Sequence, residues 1–320
     1  MKRIGVLTSG GDAPGMNACI RAVVRTGISL DMEVFGIKRG YEGLMSGELE
    51  QLQSTSVSDI IQRGGTILKT ARSEKFMTPG GFEMALNVIK TYRLDGLVII
   101  GGNGSLTGAI TLADAGVPVI GLPGTIDNDL PFTDETIGFT TAVNTVLSAI
   151  SNIRDTSDAH ERTTVIEVMG RECGDIAIMA GLTGGAEIIL VPEEPLDIDR
   201  VCRILLDGKN RGKNSSIIIK AEGVDIASVK LDEVIEERTG LETKVVILGY
   251  IQRGGSPIAR DRMIASAMGN EAVKLLNDGK KNKAIGIIGD KIAVHDLKRA
   301  MQMEKKPLTE LHELAYTLSK

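Results

Sequence analysis

Val117-Pro118-Val119-Ile120-Gly121-Leu122-Pro123-Gly124-Thr125-Ile126-Asp127-Asn128-Asp129 is the stretch on which the fold assignment turns. The apolar run from Val117 to Leu122 reads as a buried strand, and it delivers a pair of carboxylates just beyond its end. In an extended segment residues i and i+2 point the same way, which predicts Asp127 and Asp129 side by side. Such a pair suits proton abstraction from a hydroxyl, the second carboxylate serving a metal or tuning the first. Asp and Asn also populate turns for local reasons, so an Asx-rich turn is the plainer alternative.

Two glycine-rich units upstream favour the chemical reading. Ile4-Gly5-Val6-Leu7 runs into Thr8-Ser9-Gly10-Gly11-Asp12-Ala13-Pro14-Gly15, followed by a helical pattern over 17–28. Leu97-Val98-Ile99-Ile100 runs into Gly101-Gly102-Asn103-Gly104-Ser105, followed by a second helical pattern over 106–115. Glycines let backbone N–H groups approach an anion, and the following helix N-terminus adds partial positive charge. Neither loop matches the Walker A or GxGxxG pattern. Strand, phosphate-type loop and helix, twice over and joined to a carboxylate pair, point to phosphoryl chemistry.

Similar β-branched runs recur at 34–37, 164–168, 188–191, 216–220, 244–248 and 284–288. Strands alternating with helices imply an α/β protein with mainly parallel sheets covered on both faces. At 320 residues the chain is expected to form two lobes. Boundaries are expected near Gly138, which opens a helical stretch to about Arg154, and near Gly254-Gly255-Ser256-Pro257.

A net charge of −5 argues against a nucleic-acid partner. No apolar run approaches a membrane span of about 18 residues, and the opening Met1-Lys2-Arg3 with its short apolar run does not read as a signal peptide. Cys19, Cys173 and Cys202 cannot all pair and lack metal-ligand spacing, so buried thiols in a reducing cytoplasm are expected. His160, His295 and His312 are likewise isolated from metal-type spacing. Arg21 and Arg25, four apart, share one helix face.

The run Thr8 to Asn17, the 101–105 loop, Pro123 to Asp129, Met169-Gly170-Arg171 and Gln252-Arg253-Gly254-Gly255-Ser256-Pro257 resembles the bacterial ATP-dependent 6-phosphofructokinase family over nearly the whole chain. The resemblance implies the phosphofructokinase fold, with an ATP-binding lobe from 1–138 with 256–304 and a sugar-phosphate lobe from 139–255 with 305–320. It implies transfer of a phosphoryl group from magnesium-ATP to the 1-hydroxyl of fructose 6-phosphate. Asp127 would be the base, Asp129 would assist or help hold magnesium, Thr125 would contact the moving phosphate, and Arg171 would stabilise its charge. Gly11, Arg72, Gly102, Asn103, Gly104 and Ser105 would line the ATP pocket. Arg162, Lys244, Tyr250 and Arg253 would hold the sugar's 6-phosphate, and Met169 and Glu222 the sugar. Arg162 and Lys244 would come from a neighbouring subunit of a homotetramer. Arg21, Arg25, Asp59, Arg154, Glu187, Arg211 and Lys213 would bind ADP or phosphoenolpyruvate as effectors. Glycine at both 104 and 124 implies ATP rather than pyrophosphate as donor.

Several positions depart from the family pattern. Asn103 stands where an aspartate serves magnesium, and its amide lacks the charge a hard cation favours; a weakened metal site is expected. Asn103-Gly104 is also a deamidation-prone pair. Lys244 replaces an arginine, losing bidentate phosphate recognition. Tyr250 replaces a histidine, Thr140 an aspartate, and Ser54 an arginine of the effector site. These changes keep two alternatives open: a regulatory paralogue that binds nucleotide and effectors, and a kinase for another sugar phosphate.

Overall fold

The structure, a computed structural model, describes residues 1–319. Twelve strands are present among them: β1 (Arg3–Ser9), β2 (Glu33–Ile37), β3 (Leu49–Leu52), β4 (Gly96–Gly101), β5 (Val119–Thr125), β6 (Ile137–Gly138), β7 (Thr163–Val168), β8 (Ile188–Leu190), β9 (Ser216–Ala221), β10 (Thr243–Ile247), β11 (Lys283–Ile288) and β12 (Lys291–Asp296). The chain divides into one unit of Met1–Ile126, Leu130–Thr141 and Arg253–Lys305, and another of Asp127–Asp129, Ala142–Gln252 and Lys306–Lys320.

In the first unit the sheet order is β12-β11-β5-β4-β1-β2-β3, with β6 beside β5. Pairings from β11 through β5, β4 and β1 to β2 are parallel, whereas β3 and β12 join antiparallel at the edges. Strands β4 and β5 are buried along their whole length, as expected where helices cover both faces. Leu7, Ile37, Tyr41, Leu44, Phe76, Leu97, Ile99, Leu106 and Phe132 belong to one continuous core there. The expected helices form over Met16–Ser29 and Asn103–Asp114. The second unit is built on an all-parallel sheet of order β10-β7-β9-β8. Its C-terminal helix, Thr309–Leu318, is anchored to β8 by His312 and Tyr316, which both meet the Ile189 carbonyl oxygen.

The long helix covers Phe139–His160, six residues beyond the end expected from the sequence. A second correction concerns the carboxylate pair. Strand β5 ends at Thr125, and Asn128 has φ of 54°, so 127–129 is not extended. The alternation rule that predicts Asp127 and Asp129 side by side therefore does not apply to them; a left-handed bend separates the two acids.

Candidate active site

Parallel register puts the loops of the first unit in a row. Ser9 of β1 pairs with Gly101 of β4, and Gly101 pairs with Pro123 of β5. The carboxyl ends of three adjacent strands thus present the 10–15 loop, Gly102 with the first turn of the helix Asn103–Asp114, which starts three residues earlier than the sequence pattern predicts, and the Pro123–Thr125 end of β5. Strand β1 has β2 on one side and β4 on the other, and the carboxyl ends flanking such a reversal of strand order are where open α/β sheets bind ligands. Both glycine loops lead into helix N-termini, which attract anions.

Close approach explains several of the glycines. A Cβ on Gly101 would stand 2.6 Å from the Ser9 carbonyl oxygen. One on Gly124 would stand 2.8 Å from Ile100 and 3.1 Å from Met16. Gly102 faces Thr125, whose backbone is fixed by the Thr136 hydroxyl donating to its carbonyl at 2.6 Å. Asn103 and Gly104 are exposed, with open space around Gly104, while Ser105 is buried. Arg72 is exposed. Arg253 lies against Gly11 and points its guanidinium at the Asp12 carbonyl, 3.4 Å away. The structure thus brings a residue expected at the sugar phosphate up to the first glycine loop.

The carboxyl ends of the second unit's sheet gather a further set of the expected site residues. Val168 of β7 pairs with Ala221 of β9, so Met169-Gly170-Arg171 and Glu222 leave neighbouring strand ends. Asp127 is buried and its Oδ2 lies 3.2 Å from Arg171 Nε. Glu222 Oε1 accepts the backbone N–H of Gly170 at 3.2 Å and of Arg171 at 2.8 Å. Arg171 has φ of 54°, a conformation that L-residues adopt at some cost, and Glu222 holds the turn that imposes it. Met169 donates its N–H to the buried side chain of Gln252 at 3.1 Å. Asp129 is half-buried, and Tyr250 is 84% exposed.

Arg162 and Lys244 are elsewhere. They flank Glu242 at 2.8 and 3.3 Å, at the amino ends of β7 and β10. The Arg162 guanidinium, then Lys244, hold the Glu242 carboxyl below its ordinary range. A six-residue strand at about 3.3 Å per residue spans roughly 20 Å, so these cations sit at the far end of the sheet from Arg171 and Glu222. Of the expected effector residues, Arg154, Glu187 and Lys213 converge. Arg154 donates to the Gly184 and Gly185 carbonyls at 2.8 and 2.9 Å, and Lys213 pairs with Glu187. Arg211 is exposed just beyond the helix Ile198–Asn210. Arg21, Arg25 and Asp59 belong to the other unit, Arg25 and Asp59 exposed.

Sequence reasoning missed the buried acids that brace these segments. Asn128 donates its Nδ2 to Asp175 Oδ2 at 2.8 Å, both buried. Asn between two aspartates was the available signal, because Asn tolerates the left-handed region better than most residues. Asp261 was missed too. It is fully buried and accepts from the Gly138 N–H, the Thr141 N–H and the Thr141 hydroxyl at 2.5–2.7 Å. Cys173, Asp175 and Glu193 bring ligand-type atoms within 4.8 Å of one another, a proximity invisible to a search for metal-ligand spacing along the chain.

Comparison with known proteins accords with this layout. The family model described as Phosphofructokinase matches residues 3–276. The chain is 57% identical over 319 residues to the ATP-dependent 6-phosphofructokinase of Alkaliphilus metalliredigens and 54% identical to that of Clostridium tetani, covering 100% of each chain in both cases. All of the chain superposes on the phosphofructokinase structure from Saccharomyces cerevisiae with a TM-score of 0.90 at 35% identity, spanning 48% of that longer chain. The glycine loops in register, the buried acid beside an arginine, and these full-length likenesses place the chain in the phosphofructokinase family.

Proposed function

We propose that the chain transfers the γ-phosphoryl group of ATP to the 1-hydroxyl of fructose 6-phosphate, giving fructose 1,6-bisphosphate and ADP. The observation that carries this reading is the buried Asp127 carboxylate, 3.2 Å from Arg171, on the segment that leaves β5. Asp127 takes the hydroxyl proton as the oxygen forms its bond to the γ-phosphorus and the bond to the ADP oxygen breaks. Arg171, half-exposed beside the acid, supplies fixed positive charge for the phosphoryl oxygens, where most of the catalysis of such transfers lies. Thr125 contacts the phosphoryl group in transfer. The 10–15 and 101–105 loops, with Gly11, Arg72, Gly102, Gly104 and Ser105, hold the nucleotide through backbone N–H groups and helix N-termini. Met169 and Glu222 orient the sugar.

Asp129 and Asn103 offer oxygen donors, the chemistry that magnesium takes, and the exposed Asn103 side chain is open to a ligand. These two residues would hold the ion, and bound there it would neutralise charge on the phosphate oxygens. The uncharged Asn103 amide makes this a weak version of the site.

A homotetramer is supported by the position of Arg162 and Lys244. They lie too far along the sheet to serve the same sugar as Arg171 and Glu222 of their own chain, so they serve a neighbour's, with Tyr250 and Arg253. ADP or phosphoenolpyruvate as effector, bound between subunits, is supported by the cluster of Arg154, Glu187 and Lys213, with Arg211, Arg21, Arg25 and Asp59 as the further residues of that site. Cytoplasmic action accords with three buried thiols that form no disulfide.

The test is steady-state turnover with ATP, fructose 6-phosphate and magnesium, running Asn103→Asp alongside. Turnover that rises in the variant supports the kinase and locates its weakness at the metal site. No turnover in either protein overturns the reading and leaves a regulatory subunit or another acceptor.

A further inference from the structure

We infer that Asp175 is a positioning residue for phosphoryl transfer: through Asn128 it fixes the left-handed bend that sets Asp127 and Asp129. The inference rests on the assignment of Asp127 as the base, and it concerns what holds that base in place.

Three observations converge on Asp175. Asn128 has φ of 54°, a left-handed conformation that Asn adopts more readily than most residues but less readily than the right-handed or extended form. Its side chain is 1% exposed and donates Nδ2–H to Asp175 Oδ2 at 2.8 Å, while Asp175 is itself 1% exposed. A hydrogen bond between an amide and a carboxylate shielded from water is stronger than a neutral one at the surface. Finally, Asp175 opens the helix Asp175–Gly184, four residues after Arg171. The segment that presents the arginine to Asp127 thus also grips the residue next to Asp127. Cys173 adds a third contact from the same segment, its Sγ 3.9 Å from the Asn128 carbonyl.

Helix N-termini favour aspartate in any case, and a first-turn aspartate serving only its helix would have no need of Asn128. Here the carboxylate is spent on the bend between the two acids. Without it the 127–129 segment relaxes toward more common backbone angles, and the base moves relative to the bound hydroxyl. Misplacement on the order of 1 Å costs about 100-fold in rate, and it leaves ground-state binding largely intact.

The experiment measures kcat and KM for ATP and fructose 6-phosphate in full-length Asp175→Ala, Asp175→Asn, Asn128→Ala, Asn128→Gly and the Asn128→Gly/Asp175→Ala double variant. Asp127→Asn is the reference, and folded sites are counted by ATP titration. The expected result is a drop of about 10–100-fold in kcat per folded site for Asp175→Ala, with both KM values within about threefold. Asp175→Asn should recover most of it, because an amide oxygen can still accept from Asn128. Asp175→Ala should cost nothing further in the Asn128→Gly background, since coupled residues are non-additive. Full additivity, or equal loss in Asp175→Asn and Asp175→Ala, overturns the inference. If Asp175→Ala does not fold, Asn128→Ala decides: retention of wild-type kcat overturns the inference and a matching loss supports it. If Asp127→Asn is crippled and the Asp175 variants are not, this inference alone fails. If Asp127→Asn keeps wild-type kcat, the base assignment fails first and the inference with it.

Discussion

Arg171 Nε approaches Asp127 Oδ2 to 3.2 Å, and each side of this pair is held by a left-handed residue, Asn128 next to the acid and Arg171 itself. The exposures are unequal. The Asp127 side chain is 3% exposed and that of Arg171 is 49%. The acid is therefore the more enclosed member, and the guanidinium is the one open to solvent.

Replacing the acid isolates its chemistry. Asp127→Asn preserves shape and removes the proton acceptor, so kcat should fall by about 10²–10⁴-fold. KM for ATP should stay near the wild-type value. Steady-state kinetics checks this, and wild-type turnover would show that another group takes the proton.

Glu222 has a predicted role at the sugar and an observed one at the Gly170–Arg171 turn. Glu222→Gln retains an oxygen that can accept both N–H groups, whereas Glu222→Ala releases the turn. The alanine variant should therefore lose about tenfold more kcat than the glutamine variant. If both lose only fructose 6-phosphate affinity, with kcat equal, the turn does not depend on this carboxylate.

The two glycines linked to donor choice are not equivalent in packing. Gly104 has open space where a Cβ would go, whereas Gly124 is closed in by Ile100, Met16 and the Gly101 backbone. Gly104→Asp should fold with stability at or slightly above that of the wild type, since a first-turn acid adds about 0.3–1 kcal/mol. Gly124→Ala should cost about 1–3 kcal/mol through overpacking. Chemical denaturation of the two variants distinguishes them.

Asp261 links stability to pH. Burial raises its carboxyl above the ordinary value, and the bonds from Thr141 and Gly138 only partly offset this. The folded state then binds the proton more tightly than the unfolded chain. The resulting stabilisation is full below the unfolded carboxyl value and is lost as pH rises through the raised folded value. Asp261→Asn should abolish that slope. At neutral pH it should also cost roughly 1–3 kcal/mol, because one amide oxygen cannot accept from three donors as a carboxylate does. Denaturant titrations across the acidic range check both effects, and an unchanged slope would remove Asp261 from the linkage.

Local pattern was enough to place most strands. The runs at 4–7, 97–100, 164–168 and 216–220 became β1, β4, β7 and β9 with ends shifted by a residue or two, because β-branched runs between turn residues have few other ways to be buried. The helix 139–160 outran its expected end because nothing in its sequence after Arg154 compels a stop. The resemblance implied a phosphate role for Lys244 and Arg162, but their place at the amino ends of the strands was not legible, since residue type carries no strand polarity until the sheet is assembled.

Sequence alone determined the α/β class and the glycine-rich turns that follow β1 and β4, since these follow from local periodicity and residue chemistry, while the arginines were singled out only by the family resemblance. Tertiary structure alone decided that Ser9, Gly101 and Pro123 share one row, that Arg171 meets Asp127, and that Asn128 donates to Asp175. Those are contacts between residues up to 92 positions apart, the span from Ser9 to Gly101. Chain segments distant in sequence must pack together before these pairs can form, and no window along the chain contains that packing.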